Sequence, residues 1–222
     1  MKIKTVYTYL VLFLLPDLFI TAAAQKRITE GKITYDLIIN TGEKDPKIAD
    51  MFDGATSTLY IKGKSSRWEL VSSLGKQSII IDGKTGNATE LREYGDSKYM
   101  ITMTPENWKE SNKKYEGTTF SYYEEYKSIQ GYNCQKALGK MKDGTEFTVY
   151  FTRELIPENK DFQYANKDLP GLAMEYESAI GNLKVIYRVS QISFNVIPAA
   201  TFDLPKTGFR VLTFEESNKI GN

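Results

Sequence analysis

Three short patterns in the chain carry residues able to form and break acyl bonds. Ser73-Leu74-Gly75-Lys76 reads Ser-x-x-Lys, Tyr164-Ala165-Asn166 reads Tyr-x-Asn, and Lys206-Thr207-Gly208 reads Lys-Thr-Gly. They occur in the order used by serine acyl-transferases with a lysine base. That chemistry needs the serine to open a helix, so that the lysine returns one turn later. Here Gly75 interrupts, and Gln77-Ser78-Ile79-Ile80-Ile81 continues as a strand. Second copies, Ser111 to Lys114 and Lys84 to Gly86, show how readily such patterns arise in a Ser- and Lys-rich chain. Carboxylates offer little more. Glu124 and Glu125 are adjacent on a strand and point to opposite faces. Glu175 and Glu177 share a face, as charged residues of a solvated sheet surface do.

Other chemistry is excluded by count. The 222 residues include no His and one Cys, and 29 Lys and Arg stand against 28 Asp and Glu. A Ser-His-Asp triad and a His-ligated metal site are therefore impossible. One cysteine forms neither an internal disulfide nor a four-cysteine cluster. Cys134 lies in a strand-like stretch and reads as a small buried residue. A formal charge of +1 provides no field for nucleic acid. The expectation is a non-catalytic protein without a cofactor or metal.

The first 24 residues have the layout of a secretory signal peptide. Lys2 and Lys4 precede an apolar run from Tyr9 to Ile20, and Ala22-Ala23-Ala24 supplies small residues before Gln25. Pro16 and Asp17 break the run, which is too short for a comfortable membrane span. Removing 1–24 takes away Lys2, Lys4 and Asp17 and leaves the two signs in balance. No Cys follows the cleavage position, so no lipid anchor is expected there. The expected location is the periplasm of a Gram-negative-type envelope, with residues 25–222 as one β-rich domain and no transmembrane segment after the leader.

The elements that must position any site are mostly strands. Ile33, Tyr35, Leu37 and Ile39 alternate at period two. So do Leu59 and Ile61, Trp68 and Leu70, Phe147, Val149 and Phe151, and Val185, Tyr187 and Val189. Asp82-Gly83, Asp143-Gly144 and Gly181-Asn182 are hairpin turn signals. Two short helices are expected, one opening at Asp45-Pro46 and one at Thr104-Pro105 with Trp108 on its apolar side. Leu37-Ile38-Ile39 and Ile79-Ile80-Ile81 are apolar on both faces, which calls for a covering layer or a cavity. The polar stretch from Glu154 to Leu169 reads as a long, lid-like loop.

Several stretches resemble exported families. Leu169-Pro170-Gly171-Leu172, preceded by Asp168, is similar to the motif of the exported Gly-Leu-Pro-Gly-Leu-Ile family. Gly131 to Ala137, Asp143 to Glu146 and Ile197 to Phe209 look like the related exported domain of unknown function 4412. Leu59-Tyr60-Ile61-Lys62 and Arg67-Trp68 more distantly resemble the periplasmic lipoprotein carrier LolA. Gly63-Lys64 departs from the Arg-Pro expected after that Lys. The resemblance implies a curved antiparallel sheet forming an incomplete half-barrel, with a groove for a lipid or other hydrophobic molecule. By strand parity, the expected lining is Leu59, Ile61, Trp68, Leu70, Met103, Phe120, Tyr122, Phe147, Val149 and Phe151; Met100 and Trp108 are further candidates. A cell-envelope interaction module with a filled core and a protein partner is the alternative; a structure with no cavity of about 300 Å³ favours it. A hydrolase working without His is the third reading.

Overall fold

The computed structural model describes residues 25–39, 54–180 and 183–220. The leader, the helix expected at Asp45-Pro46 and the Gly181-Asn182 turn lie outside the described residues. The chain is mainly β, with one large curved sheet that does not close into a barrel. The first half supplies β1 (Lys26–Ile28), β2 (Glu30–Ile39), β3 (Thr56–Lys62), β4 (Ser65–Ser72), β5 (Gly75–Ile81), β6 (Ala88–Tyr94) and β7 (Ser97–Met103). After helix α1 (Pro105–Ser111) come β8 (Thr119–Ile129), β9 (Tyr132–Lys140), β10 (Glu146–Thr152) and β11 (Leu155–Pro157). The chain ends with β12 (Leu172–Ile180), β13 (Leu183–Ser193), β14 (Arg210–Thr213) and α2 (Phe214–Ile220).

Twelve strands form the sheet in the order β14-β7-β6-β5-β4-β3-β2-β13-β12-β10-β9-β8. All neighbours run antiparallel except β14 against β7. Short turns explain this order, because most sequential strands are hairpins. At the β8–β9 turn, Gln130 and Gly131 both take positive φ, 51° and 81°. That is the geometry matching the twist of the strands it joins. Register shifts interrupt β10–β12, β13–β2 and β8–β9, and such irregularities bend a sheet.

Directly opposed residues share a face, so the register can be followed across the sheet. One row runs Met103, Ala88, Ile81, Ser66, Ile61 and Gly31. Another, reached along β2 from Gly31, runs Leu37, Tyr187, Tyr176, Val149, Ala137 and Tyr122. This inner face carries the main core, where Ile33, Tyr35, Leu59, Ile61, Val185 and Val189 are almost fully buried. The outer face is mostly polar. On it Glu175 bridges Lys127 and Arg188, and Lys136 meets Glu125 at 2.7 Å.

Three expectations change. The stretch from Glu154 to Leu169 is not plain loop. It contains β11, which pairs in parallel with β1, and a 3-10 helix over Asp161–Asn166. Of the two doubly apolar segments, only one has a covered outer side. Ile80 is 5% exposed where Phe202 and Leu204 approach, whereas Ile38 is 36% exposed. That cover is tied down by Lys62 Nζ to the Ile197 carbonyl (2.8 Å) and Arg67 to the Thr201 carbonyl (3.0 Å). Helix α2 was not expected. Its signal is Thr213 and Glu216, which cap each other's backbone amides at 3.2 and 2.8 Å.

Leu169-Pro170-Gly171-Leu172 has a steric reason for its glycine. Leu169 and Leu172 are fully buried, Leu169 beside Phe151 and Ala173. Between them Gly171 passes so close to the Thr152 carbonyl that a Cβ would sit 1.9 Å from the oxygen. No side-chain motion relieves a clash with backbone. Gly171→Ala is therefore expected to cost about 2–4 kcal/mol in urea unfolding. Gly131→Ala has nothing within reach of its Cβ; its positive φ alone should cost about 1 kcal/mol. Equal costs at the two positions would contradict the steric account.

Candidate ligand cleft on the inner face

A cleft of about 440 Å³ opens between the inner face and the segments that cross it. One wall comes from β4, β5 and β6, through Trp68, Leu70, Gln77, Ile79 and Tyr94. The opposite wall comes from β12 and β13, through Tyr176, Ser178 and Tyr187. Strands β3 and β2 lie between them in the sheet, so the sheet itself forms a trough. The roof is the 3-10 helix, through Phe162, Gln163, Tyr164, Ala165 and Asn166, together with Trp108, Asn112 and Tyr115 from α1 and the turn after it.

Local sequence explains why the roof sits there. Thr104 and Asn107 form a reciprocal cap at the start of α1, with Pro105 in its first turn. That start places Trp108 inward, against the cluster of Ile81, Ile101 and Met103. Gln163 reaches through the roof to the Tyr35 hydroxyl at 3.1 Å, and that hydroxyl donates to the Ala173 carbonyl at 3.3 Å. Beneath the roof Tyr176 stacks on Tyr187, with ring centroids 5.0 Å apart and planes within 5°. Tyr35 meets Tyr176 edge-on at 5.8 Å. Burial pushes all three phenols up, Tyr187 to about 12, so they remain neutral hydroxyls at ordinary pH.

A second cleft of about 330 Å³ continues from the first. The two share Tyr115, Ala165, Tyr176, Ser178 and Ala179. The second ends among Met141, Phe147, Lys114 and the Lys184–Glu177 ion pair. Together they make an elongated groove, largely aromatic at one end and bordered by charges at the other. A depression of about 810 Å³, bounded by Ile80, Thr89, Met103, Phe202 and Phe214, lies near the β14 edge.

The register places all ten residues expected to line a groove on the inner face. Their exposures differ. Trp68 and Leu70 form a cleft wall, Phe147 closes the second cleft, and Met103 opens on the larger depression. Leu59, Ile61, Val149 and Phe151 are packed into the core at 1% exposure or less. Phe120 packs edge-on against Phe147 at 6.0 Å, which leaves it beside the groove. Tyr122 is half exposed, near the sheet edge, with its ring 5.6 Å from that of Phe151. Met100 is opposed to Leu91 and so falls on the outer face. The roof aromatics Tyr115, Phe162 and Tyr164 were missed, because no periodicity marks a side chain arriving from a loop.

Two polar atoms stand out. Among the described residues, four buried side-chain polar atoms lack a hydrogen-bond partner: Trp108 Nε1, Asn166 Oδ1, Ser57 Oγ and Ser66 Oγ. Trp108 and Asn166 both line the cleft. Each such orphan costs roughly 1–3 kcal/mol, and so asks for an explanation. Of the acyl-transfer pattern, Tyr164 and Asn166 line the cleft, but Ser73, Lys76 and Lys206 do not. Ser73 is in the turn between β4 and β5, and Lys76 meets Glu69 at 2.8 Å. Burial pushes the Cys134 thiol up to about 12, and its Sγ lies 3.4 Å from the Tyr132 carbonyl.

No family model matches the chain, and no curated protein matches it. Among solved structures it is similar to an uncharacterized conserved protein from Thermus thermophilus, with TM-score 0.51 and 9% identity over 84% of this chain and 91% of that one. PNGF-II in its C2 crystal form gives TM-score 0.49 and 12% identity over 86% of this chain. MucB gives TM-score 0.41 and 10% identity, covering 83% of this chain and 60% of that one. The chain spans about a third of the length of PNGF-II. The likeness to the Thermus protein shows the open-sheet fold and nothing of activity.

The buried tyrosines set an alkaline limit on stability. A phenol whose folded value is raised above the ordinary 10 stabilises the fold fully below pH 10. That contribution is lost as pH climbs from 10 toward about 12. Phenolate absorbance at 295 nm is expected to rise in two phases, the later one coinciding with loss of the β signal in circular dichroism. A single phase near pH 10 in a protein that stays folded would contradict the burial of Tyr35, Tyr176 and Tyr187.

Proposed function

We propose that this chain is a non-catalytic binding module that works outside the cytoplasm and holds a lipid or another largely apolar small molecule in the inner-face groove. The observation that carries the reading is the trough itself, with a cleft of about 440 Å³ walled by Trp68, Leu70, Tyr176 and Tyr187 and roofed by residues 161–166. Clefts of this size and character suit small ligands bound by apolar burial. Each buried CH₂ contributes about 0.8 kcal/mol before ordering costs, so one short chain gains several kcal/mol. No cofactor enters this reading. Export is supported by the basic, apolar and small-residue sequence of positions 1–24. The likenesses at Leu169–Leu172 and Ile197–Phe209 to exported families support it further.

One observation favours a second reading, contact with an envelope protein. Strand β8 is an edge of the sheet, and its Tyr122, Tyr123 and Tyr126 are each close to half exposed. Its register shift between Tyr122 and Tyr126 works against strand addition, since irregular edges resist pairing. The groove reading is therefore preferred.

Organic extraction of the purified protein followed by mass spectrometry tests it. A stoichiometric small amphiphile in the extract is the expected result, and Trp68→Ala should lower its yield. An empty extract, together with no uptake of fluorescent fatty acids, would contradict the reading.

A further inference from the structure

The first cleft differs from the main core in the kind of apolar surface it shows. Where the sheet is packed shut, aliphatic residues such as Ile33, Leu59, Val185 and Val189 meet. In the cleft, rings arrive from every side: Trp68 and Tyr94 on one wall, Tyr176 and Tyr187 on the other, Trp108 and Phe162 from the roof. The larger aliphatic side chains on its walls, Leu70, Leu74 and Ile79, all come from β4, β5 and the turn between them. Trp68, Trp108, Phe162 and Tyr176 are only partly buried, so part of their surface stays open. Among the described residues that line this cleft, none is Asp, Glu, Lys or Arg. The charges of the groove, Lys114, Glu146 and the Lys184–Glu177 pair, belong to the second cleft.

Resting on the groove reading, we infer that the first cleft takes a flat, uncharged compound of conjugated or fused rings in preference to an alkyl chain. Burial of apolar area contributes the same for a ring as for a chain of equal area. Two further effects separate them. Ring pairs attract offset face to face, or edge to face, beyond their area burial, so a flat ligand finds partners whichever way the wall rings turn. A rigid ring also has no rotamers to lose, whereas the bonds of a chain must be ordered. An ionised group on the ring would give up its water and meet no counter-charge on these walls. The space of about 440 Å³ is within the range that holds such small molecules.

Isothermal titration calorimetry on the whole protein at pH 7.5 tests this with 2-naphthol, 1-octanol and 2-naphthoate. The first two are neutral and of similar hydrophobicity, one flat and one a chain; the third carries a carboxylate on the same ring system. 2-Naphthol is expected to bind about tenfold or more tighter than either of the others. Trp68→Leu and Phe162→Leu keep an apolar side chain but remove a ring, and each should narrow the gap between 2-naphthol and 1-octanol to about threefold or less. Phe202→Leu, in the depression near β14, should leave the gap unchanged. A 2-naphthol affinity no better than that of 1-octanol, or matched by 2-naphthoate, would overturn the inference and leave the groove reading standing. So would a preference that survives both cleft variants, or uptake of a fluorescent fatty acid without binding of 2-naphthol. Failure of every one of these ligands to bind would end both.

Discussion

A sheet of twelve strands has two broad faces, and the other sheet among the described residues, β1 with β11, is too small to bury either of them. Covering the inner face is the constraint on which everything else depends. The chain meets it with α1 and, over the middle of the sheet, with residues 154–172, a segment pinned at both ends. At the start, β11 pairs with β1, and the Lys26 amide donates to the Glu154 carbonyl at 2.6 Å. At the end, Leu169 and Leu172 enter the core on either side of Gly171. Between the pins the segment cannot fill the trough. It brings Phe162, Gln163, Tyr164 and Asn166 over the sheet as a roof rather than as a layer.

That incomplete covering gives the inner face two characters. Where β2, β3 and β13 run together, aliphatic side chains pack into the main core. Where the sheet curls, the wall residues become tyrosine and tryptophan, with neutral hydroxyls and an indole at the surface of the cleft. Aromatic rings suit such a boundary, since each has an apolar body and, in Tyr and Trp, a polar handle. The outer face needs no such arrangement. Its charges neutralise one another, as Glu69 does between Arg67 and Lys76 and Glu175 between Lys127 and Arg188.

Much of this was legible in the sequence, and for a definable reason. Period-two alternation at Ile33 to Ile39, Phe147 to Phe151 and Val185 to Val189 records which face each residue takes, so ten residues chosen by parity fall on one face. Parity does not record depth. Leu59 and Val149 alternate in the same way as Trp68 and Leu70, yet the former lie under neighbouring strands and the latter border open space. The roof was legible only as a long polar segment. Tyr164 and Asn166 attracted notice as part of an acyl-transferase pattern, and their place in the fold is due to the 3-10 helix instead. The parallel pairings of β1 with β11 and β14 with β7 join distant stretches, which local patterns do not reveal. The solvent access of Ile38 follows from tertiary cover alone.

A small molecule lodged in the trough beneath residues 161–166 must be sensed from both of its sides at once. The chain has two tryptophans, so its NMR spectrum carries two indole N–H resonances, one from a wall of the cleft and one from its roof. Titration with an octyl ligand is expected to shift both resonances along one saturating curve, with the Gln163 side-chain amide following. Saturable binding that leaves both indole resonances in place would put the ligand elsewhere and contradict the proposed site.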